Sequence, residues 1–216
     1  LERVTDSMTA TLNPEIRLGK RARAKEANRR AILEAARLVF ARIGYEATNI
    51  RDIIRETDLA SGTFYNYFKS KEEVFEAIAN DSVQRFRPLL QKVREEAEDL
   101  ESYLIAAYGA YFNFLAEEND EAIEVGAPHM SLIGVRVDTP EMKTVSEEIC
   151  ADLEIVMDKI GLGHLDCDYI TAAAIGMARE MGDHMLKRRP VDAKGATEFA
   201  SKLMLAGIEA LAKSDR

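Results

Sequence analysis

Residues 48–68 read "TNIRDIIRETDLASGTFYNYF", and this stretch decides the fold of the chain. Two short helical segments, residues 50–57 and 61–68, flank a tight turn at residues 57–60. The apolar side chains of Ile50, Ile53, Ile54 and Leu59 have the spacing to hold the two segments together against a preceding helix. Two short helices joined in this way form a helix-turn-helix, whose second helix enters the major groove of DNA. The pattern therefore predicts a DNA-binding unit.

The side chains of the second segment divide between a core face and a DNA face. Phe64 and Phe68 are four residues apart and share the face that we expect to be buried. Gly62 is small enough to let the helix approach a DNA backbone, and Thr63 can exchange hydrogen bonds with base edges. The tyrosines on the other faces can reach phosphate oxygens. The alternative, a helical bundle with all of these aromatic rings in its core, leaves the basic surroundings without a role.

Helical signals continue on both sides of this stretch. Residues 24–43 have helical apolar spacing and end at Gly44, a predicted left-handed C-cap. Thr48 is the predicted cap of the second helix. Ser70 and Glu73 form a predicted capping box for a fourth helix that ends near Phe86, with Pro88 opening the next. The remaining predicted helices span residues 88–98, 101–118, 140–160, 168–188 and 194–212, with caps at Thr139 and Asp168 and a further short helix within residues 118–138.

Charge is distributed unevenly along the chain. Residues 17–71 carry 13 basic and 6 acidic side chains, a net charge of +7, although the whole chain has a net charge of −9. This division favours a basic module that faces a polyanion and an acidic module with another role. No apolar run is long enough to cross a membrane, so we expect no membrane partner. Two cysteines are too few for a disulfide framework and fit a reducing cytoplasm.

With these residues in view, the chain resembles the tetracycline repressor (TetR) family of bacterial transcription regulators. The segment that carries the resemblance is residues 32–78, "ILEAARLVFARIGYEATNIRDIIRETDLASGTFYNYFKSKEEVFEAI". The resemblance implies that phosphates are held by Thr48, Tyr67 and Lys71. It places at the DNA groove Ser61, Gly62, Thr63, Tyr65 and Asn66.

Two residues of the turn depart from the family pattern. Asp58 stands where glycine is frequent, and we expect it to tolerate a left-handed conformation. Ala60 stands where a serine often caps the helix, and its missing cap is expected to cost about 1 kcal/mol of helix stability.

The predicted fold class is all-α, with two modules. Residues 1–19 are expected to be a flexible N-terminal arm, residues 20–70 a three-helix helix-turn-helix DNA-binding domain, and residues 71–216 a helical effector-binding and dimerisation bundle. The basic run "RLGKRARAKEANRR" at residues 17–30 is expected to contact phosphates or the minor groove. A solvated helix face is the alternative for that run.

The resemblance also implies that the C-terminal bundle encloses a small-molecule site that controls DNA binding. Our candidate lining mixes adaptable thioethers and aromatic rings with a few polar groups: Tyr108, Tyr111, Phe112, His129, Met130, Met177, Met181 and His184. No cofactor and no catalytic residues are predicted. The run "HLDCD" at residues 164–168 has metal-ligand residue types, but its crowded spacing favours a polar loop, so no metal site is predicted.

The last two helices predict a dimer. In the final helix, Ala196, Ala200, Leu203, Gly207 and Leu211 form a stripe rich in small residues, and apolar side chains cover other faces too. The preceding helix carries further small residues: Ala172, Ala173, Ala174 and Gly176. A helix that is apolar on more than one side must bury more than one side, so we expect a homodimer with a four-helix interface.

The leading hypothesis is therefore a ligand-responsive transcriptional regulator, and specifically a repressor that a small hydrophobic effector releases from a palindromic DNA operator. A DNA-binding dimer without an effector is one alternative. A small helical enzyme is the other.

Overall fold

The computed structural model describes residues 14–120 and 139–214. The described residues form eight α-helices and no strand, which confirms the all-α prediction. In chain order they are α1 (Pro14–Ile43), α2 (Ile50–Glu56), α3 (Ser61–Tyr65), α4 (Lys71–Glu96), α5 (Leu100–Glu118), α6 (Pro140–Asp158), α7 (Cys167–Lys187) and α8 (Ala193–Ser214). The short helix expected within residues 118–138 falls almost entirely outside the described residues.

Several predicted helix ends are confirmed. Gly44 has a φ of 82° and its amide donates to Phe40 O at 2.9 Å. The Thr139 side chain accepts from the amide of Met142, with Pro140 as the first helical residue. Ser70 caps α4 by accepting from the amide of Glu73 at 3.2 Å. The other half of the predicted capping box differs, because the Glu73 carboxylate accepts from the amide of Lys69.

Two predicted caps were wrong by one or two residues. Asn49, not Thr48, caps α2: its side chain accepts from the amides of Arg51 and Asp52, and the Asp52 carboxylate accepts from the Asn49 amide in return. Thr48 instead lies buried and donates to Gly44 O at 2.7 Å. Asp166, not Asp168, caps α7.

The predicted break near Pro88 was also wrong, because α4 runs unbroken through this residue. Proline removes one backbone hydrogen bond from a helix interior. Gln84, whose carbonyl loses that bond, is exposed along with Pro88, so water can replace the missing donor. Burial on both sides of the proline holds the helix together: Ile78 lies in one apolar cluster and Val93 in another.

Helix α4 thus joins two hydrophobic clusters. The first belongs to α1–α3 and the start of α4, and its fully buried members include Ile32, Ile53 and Phe64. The second fills the space among α5–α8, where α5 packs most extensively on α8. The proposed domain boundary near residue 70 remains a prediction, since one helix contributes to both clusters.

Close helix packing and ion pairs complete the C-terminal bundle. A Cβ added at Gly182 of α7 would lie 2.4 Å from the Leu115 side chain in α5, so any other residue here would force that side chain to move. Arg94 of α4 pairs at 2.5 Å with the buried Asp152 of α6. Among the described helices, none is both long and apolar enough to cross a bilayer.

Candidate nucleic-acid interface

The turn between α2 and α3 is built around Thr57. Its amide and its hydroxyl both donate to Ile54 O, and the hydroxyl oxygen accepts from the amide of Leu59 at 3.3 Å. No described non-glycine residue has a positive φ, so the expected left-handed conformation of Asp58 was wrong. The Thr57 hydroxyl supplies the turn without it.

Helix α3 presents a compact exposed surface. Ser61, Gly62, Tyr65 and Asn66 are exposed and Thr63 is half-buried. A Cβ added at Gly62 would meet no described heavy atom within 4 Å, so the surface around it is open. The structure therefore brings together the five residues that were predicted to lie at the groove.

Buried aromatic rings support this surface from behind. Phe64 is fully buried and Phe68 nearly so, as predicted, and the ring of Tyr65 packs edge-on against Phe64 at 5.6 Å. Helix α3 ends at Tyr65 rather than near Phe68, and the next residues form a turn. Ala60 makes no side-chain cap bond, as its residue type implied. The apolar anchor, rather than a cap, holds this one-and-a-half-turn helix in place.

Lys71 has a structural role that the sequence did not reveal. Its ammonium group donates to the backbone carbonyls of Tyr45 at 2.8 Å, Glu46 at 3.2 Å and Thr48 at 3.0 Å. An ammonium group has three donors, so these bonds use all of them. The Nζ atom also lies 4.5 Å from the centroid of the Tyr45 ring. Lys71 therefore ties the α1–α2 loop to the start of α4.

The predicted phosphate contacts of Thr48, Tyr67 and Lys71 remain predictions. An open groove has Thr48, Lys71 and the exposed Tyr65 among its lining residues, which places two of the three together. Tyr67 lies on another side, where its half-buried hydroxyl accepts from the Asn28 amide at 3.3 Å. To bind a phosphate, the Lys71 ammonium group would have to give up its hydrogen bond to one of the three carbonyls.

The basic run at residues 17–30 is helical. Helix α1 begins at Pro14, so residues 14–19 are helical, whereas residues 1–13 lie outside the described part and the arm expected for residues 1–19 stays a prediction. The exposed cations of this first part of α1 are Lys20, Arg21, Arg23, Lys25 and Arg30. Arg29 is half-buried, with its guanidinium carbon 5.9 Å from the centroid of the Phe68 ring. Asn28 and Arg29 thus bring α1 against Tyr67 and Phe68, which follow α3, and the exposed cations occupy neighbouring turns of the same helix.

Comparisons with known proteins fit this geometry. Residues 32–78 match the family model for bacterial regulatory proteins of the tetR family. The HTH-type transcriptional regulator YdgC of Bacillus subtilis is 24% identical over 168 residues, which cover 74% of this chain and 81% of that protein. Residues 32–78 are thus a DNA-binding domain of the TetR type. The chain is a DNA-binding transcriptional regulator, like these relatives, and the enzyme alternative is rejected.

Two further comparisons are a sequence match over part of the chain and a structural match over most of it. The transcriptional repressor KstR2 of Mycolicibacterium smegmatis is 32% identical over 83 residues, which cover 37% of this chain and 40% of that protein. The crystal structure of the regulator FadR from Bacillus subtilis in complex with stearoyl-CoA superposes with a TM-score of 0.66 at 19% identity. That match covers 82% of this chain and 97% of the other, and it shows that the two folds are alike.

The candidate effector residues are only partly brought together. Tyr108 and Phe112 are buried in the C-terminal cluster, and Tyr111, Met177 and Met181 pack against it. His184 is exposed and lies outside this group, so its place in the lining stays a prediction. His129 and Met130 lie outside the described residues.

The tyrosines of this group have different chemistry. Tyr108 donates to Ala174 O at 3.3 Å and is already satisfied. Burial raises the pKa of Tyr111 to about 12, so its phenol stays neutral and can donate to a polar group at physiological pH.

Sequence reasoning missed a charged cluster between the two hydrophobic clusters. Arg37 of α1 pairs with Asp81 of α4 at 3.2 Å and lies 3.9 Å from Glu118 of α5. Arg85 of α4 binds both carboxylate oxygens of Glu118 and also pairs with Asp81 at 3.2 Å. Burial, followed by the nearby Arg85, lowers the pKa of Arg37. The only sign of this cluster in the sequence was Arg37, a cation that follows Ala36 in an otherwise apolar stretch of α1.

Proposed function

We propose that this regulator is a repressor that binds a palindromic operator as a homodimer and is released by a small hydrophobic effector of the acyl class. The observation that carries the DNA-binding part is the exposed surface of α3 over the buried Phe64. Thr63, half-buried at its centre, offers a hydroxyl and a methyl group to base edges. The exposed cations of α1 add sequence-independent attraction to phosphates.

An exposed apolar face on α7 and α8 supports the homodimer. Phe199, Leu203 and Leu211 of α8 are 62%, 53% and 52% exposed, and they follow a four-residue spacing that includes Gly207. Ala200 faces the interior instead, so the stripe predicted from the sequence is rotated toward Phe199. On α7, Tyr169 is 78% exposed and is followed by three exposed small residues, Ala172, Ala173 and Gly176. Apolar surface of this kind favours burial against a second copy.

The apolar character of the C-terminal cluster supports a hydrophobic effector. Thioethers at Met177 and Met181 adapt to an alkyl chain, and the neutral Tyr111 phenol can donate to a carbonyl. The acyl class is chosen because the FadR regulator with the same fold was crystallised with stearoyl-CoA. The Tyr111 ring also contacts Phe86 of α4 at 5.5 Å. An acyl chain that displaces Tyr111 would therefore act on the helix that leads to the DNA-binding domain.

The charged cluster supports the coupling between effector and DNA. Glu118 is the last residue of α5, the helix that carries Tyr111, and it contacts Arg37 of α1 and Arg85 of α4. A change in α5 thus has a direct electrostatic path to the first helix of the DNA-binding domain. The pairs are half-exposed, so they can re-form at modest cost.

The test begins with selection of an operator from random duplexes, followed by gel-shift titration of the purified chain. Stearoyl-CoA is then added, with coenzyme A and stearate alone as matched controls. We expect specific operator binding and its release by stearoyl-CoA only. Calorimetric titration of stearoyl-CoA should show weaker binding to the operator complex, by the same factor as the loss of DNA affinity.

Each arm rejects a different part of the proposal. A chain that binds operator but neither binds nor responds to stearoyl-CoA would reject the acyl effector. A chain that binds stearoyl-CoA equally well with and without operator would reject the coupling. The alternative, a DNA-binding dimer without an effector, would then stand.

A further inference from the structure

The two cysteines of the chain, 17 positions apart in sequence, meet at the junction of α6 and α7. Cys150 lies in α6 and is half-buried, and the buried Cys167 is the first residue of α7. Their Sγ atoms are 2.9 Å apart, and the Cys167 thiol donates to Cys150 O at 3.1 Å. The loop between the helices, residues 159–166, turns the chain so that the two thiols face each other.

Carboxylates surround this thiol pair. Glu154 lies one turn after Cys150 on the same face of α6. One ligand atom from each of Cys150, Glu154 and Cys167 fits within a mutual distance of 4.8 Å. Asp168 adds a second carboxylate, with Oδ1 at 3.8 Å from the Cys150 Sγ atom. Glu154 and Asp168 are exposed, so the cluster opens to solvent on one side.

We propose that Cys150, Cys167 and Glu154 form a binding site for a thiophilic divalent cation such as Zn²⁺ or Cd²⁺, with Asp168 as the fourth ligand. Thiolate and carboxylate are established ligands of such ions, and four ligands complete a tetrahedron. This site lies outside the DNA-binding and effector regions, and its existence does not depend on the proposed function. It departs from the sequence prediction of no metal site.

The geometry requires only side-chain adjustment. Metal–sulfur bonds of about 2.3 Å at tetrahedral angles place two sulfurs about 3.8 Å apart. The Sγ atoms must therefore separate by about 1 Å, which rotation of the half-buried Cys150 side chain can provide. The solvent-facing carboxylates give an ion its entry path.

A divalent cation also balances the charges of this cluster. The ion replaces the two thiol protons, which leave to solvent, and it compensates the carboxylate charges of Glu154 and Asp168.

A bound ion would join α6 to α7. Helix α7 carries both Met177, a candidate effector residue, and Tyr169 of the proposed dimer face. Because an ion that binds only the folded chain stabilises it, the metal would raise the melting temperature and protect the α6–α7 junction from hydrogen exchange.

The experiment titrates the full-length chain, reduced with a phosphine, with Cd²⁺ and follows the thiolate-to-cadmium charge-transfer absorption. Zn²⁺ affinity is measured by competition with a chromophoric chelator. We expect one ion per chain, an increased melting temperature, and an absorption that falls to about half in Cys150→Ser and in Cys167→Ser, since one thiolate remains.

Glu154→Gln should weaken Zn²⁺ binding about tenfold or more, whereas Glu147→Gln is the matched control that removes an exposed carboxylate one turn before Cys150. Circular dichroism without metal verifies that each variant is folded. Absence of the charge-transfer band in the reduced chain would overturn the site. Equal Zn²⁺ affinity of Glu154→Gln and Glu147→Gln would overturn the three-ligand assignment. Rapid closure of a Cys150–Cys167 disulfide by oxidised glutathione, even with Zn²⁺ present, would also overturn it.

Discussion

Replacing Lys71 with methionine removes the ammonium group and keeps most of the aliphatic stem, so it tests the connection between the α1–α2 loop and α4. Three backbone carbonyls, of Tyr45, Glu46 and Thr48, lose their donor. A hydrogen bond to a charged group contributes about 1.5–3 kcal/mol. The cation–π contact with Tyr45 adds about 0.5–1 kcal/mol.

The three bonds share one half-buried ammonium group, and the carbonyl of the exposed Glu46 can turn to water, so the energies of the bonds do not add. We expect a total loss of about 2–4 kcal/mol. For a chain of this length that unfolds cooperatively, the loss lowers the melting temperature by roughly 5–12 °C. Hydrogen exchange should locate the effect, with faster exchange at the amides of Gly44 and Thr48.

The matched control is Lys69→Met, which removes an exposed cation two residues away. DNA titrations at several salt concentrations then separate the two roles of Lys71. If Lys71 binds a phosphate, its removal should lower the number of ions released on binding by about one for each half-site, equally on operator and scrambled DNA. If the salt dependence of DNA affinity is unchanged while the affinity itself falls, Lys71 has only the structural role. If Lys71→Met and Lys69→Met have the same melting temperature and the same hydrogen-exchange rates at the loop amides, the connection through three carbonyls is refuted.

The remaining predictions concern the DNA surface, the dimer and the coupling. Thr63→Ala should weaken operator binding by about 1–3 kcal/mol and relax preference at one base position, and equal losses on scrambled DNA would refute a base contact. A Cβ at position 207 would meet no described atom within 4 Å, so Gly207→Glu should leave the monomer folded but bury a charge in the dimer interface, and light scattering should show monomers. The control Lys202→Glu, on the charged side of α8, should remain dimeric. Glu118→Gln should reduce the effector-induced loss of operator affinity about fivefold, and normal release by effector would exclude the charged cluster from the coupling.

Local chemistry made the helices and several of their ends predictable from the sequence. The cap at Thr139 and the left-handed Gly44 depend on contacts within four residues, which the sequence displays directly. The recognition surface was predictable for the same reason, because Gly62 and Phe64 occupy opposite faces of one short helix. Thr48 and Asn49 are neighbours that can both cap a helix; Thr48 was the predicted cap, whereas in the structure Asn49 caps α2 through its reciprocal bonds with Asp52.

Contacts distant in sequence were not predictable. The carbonyl partners of Lys71 lie 23–26 residues away, and Arg37 meets Asp81 across 44 residues. Pro88 was interpreted as a helix boundary because local propensity favours that reading, whereas burial of Ile78 and Val93 on either side overrides it. The thiol pair is a similar case: the run at residues 164–168 suggested a polar loop, whereas Cys150 and Glu154, which complete the cluster around Cys167, belong to α6.

Helix α4 explains how an effector site can act on DNA at a distance in the proposed dimer. Its 26 residues span about 39 Å at 1.5 Å per residue. Lys71 fixes one end to the DNA-binding domain, Phe86 contacts the candidate effector residue Tyr111, and Asp81 and Arg85 join α1 and α5 between them. A tilt of about 5° over this length moves one end by about 3 Å relative to the other. Two-fold symmetry applies the shift to both recognition helices, and adjacent major grooves require a separation of about 34–36 Å. In the proposed dimer, a change of this size in that separation would prevent simultaneous docking, and displacement of the Tyr111 ring by an effector would be the movement that causes it.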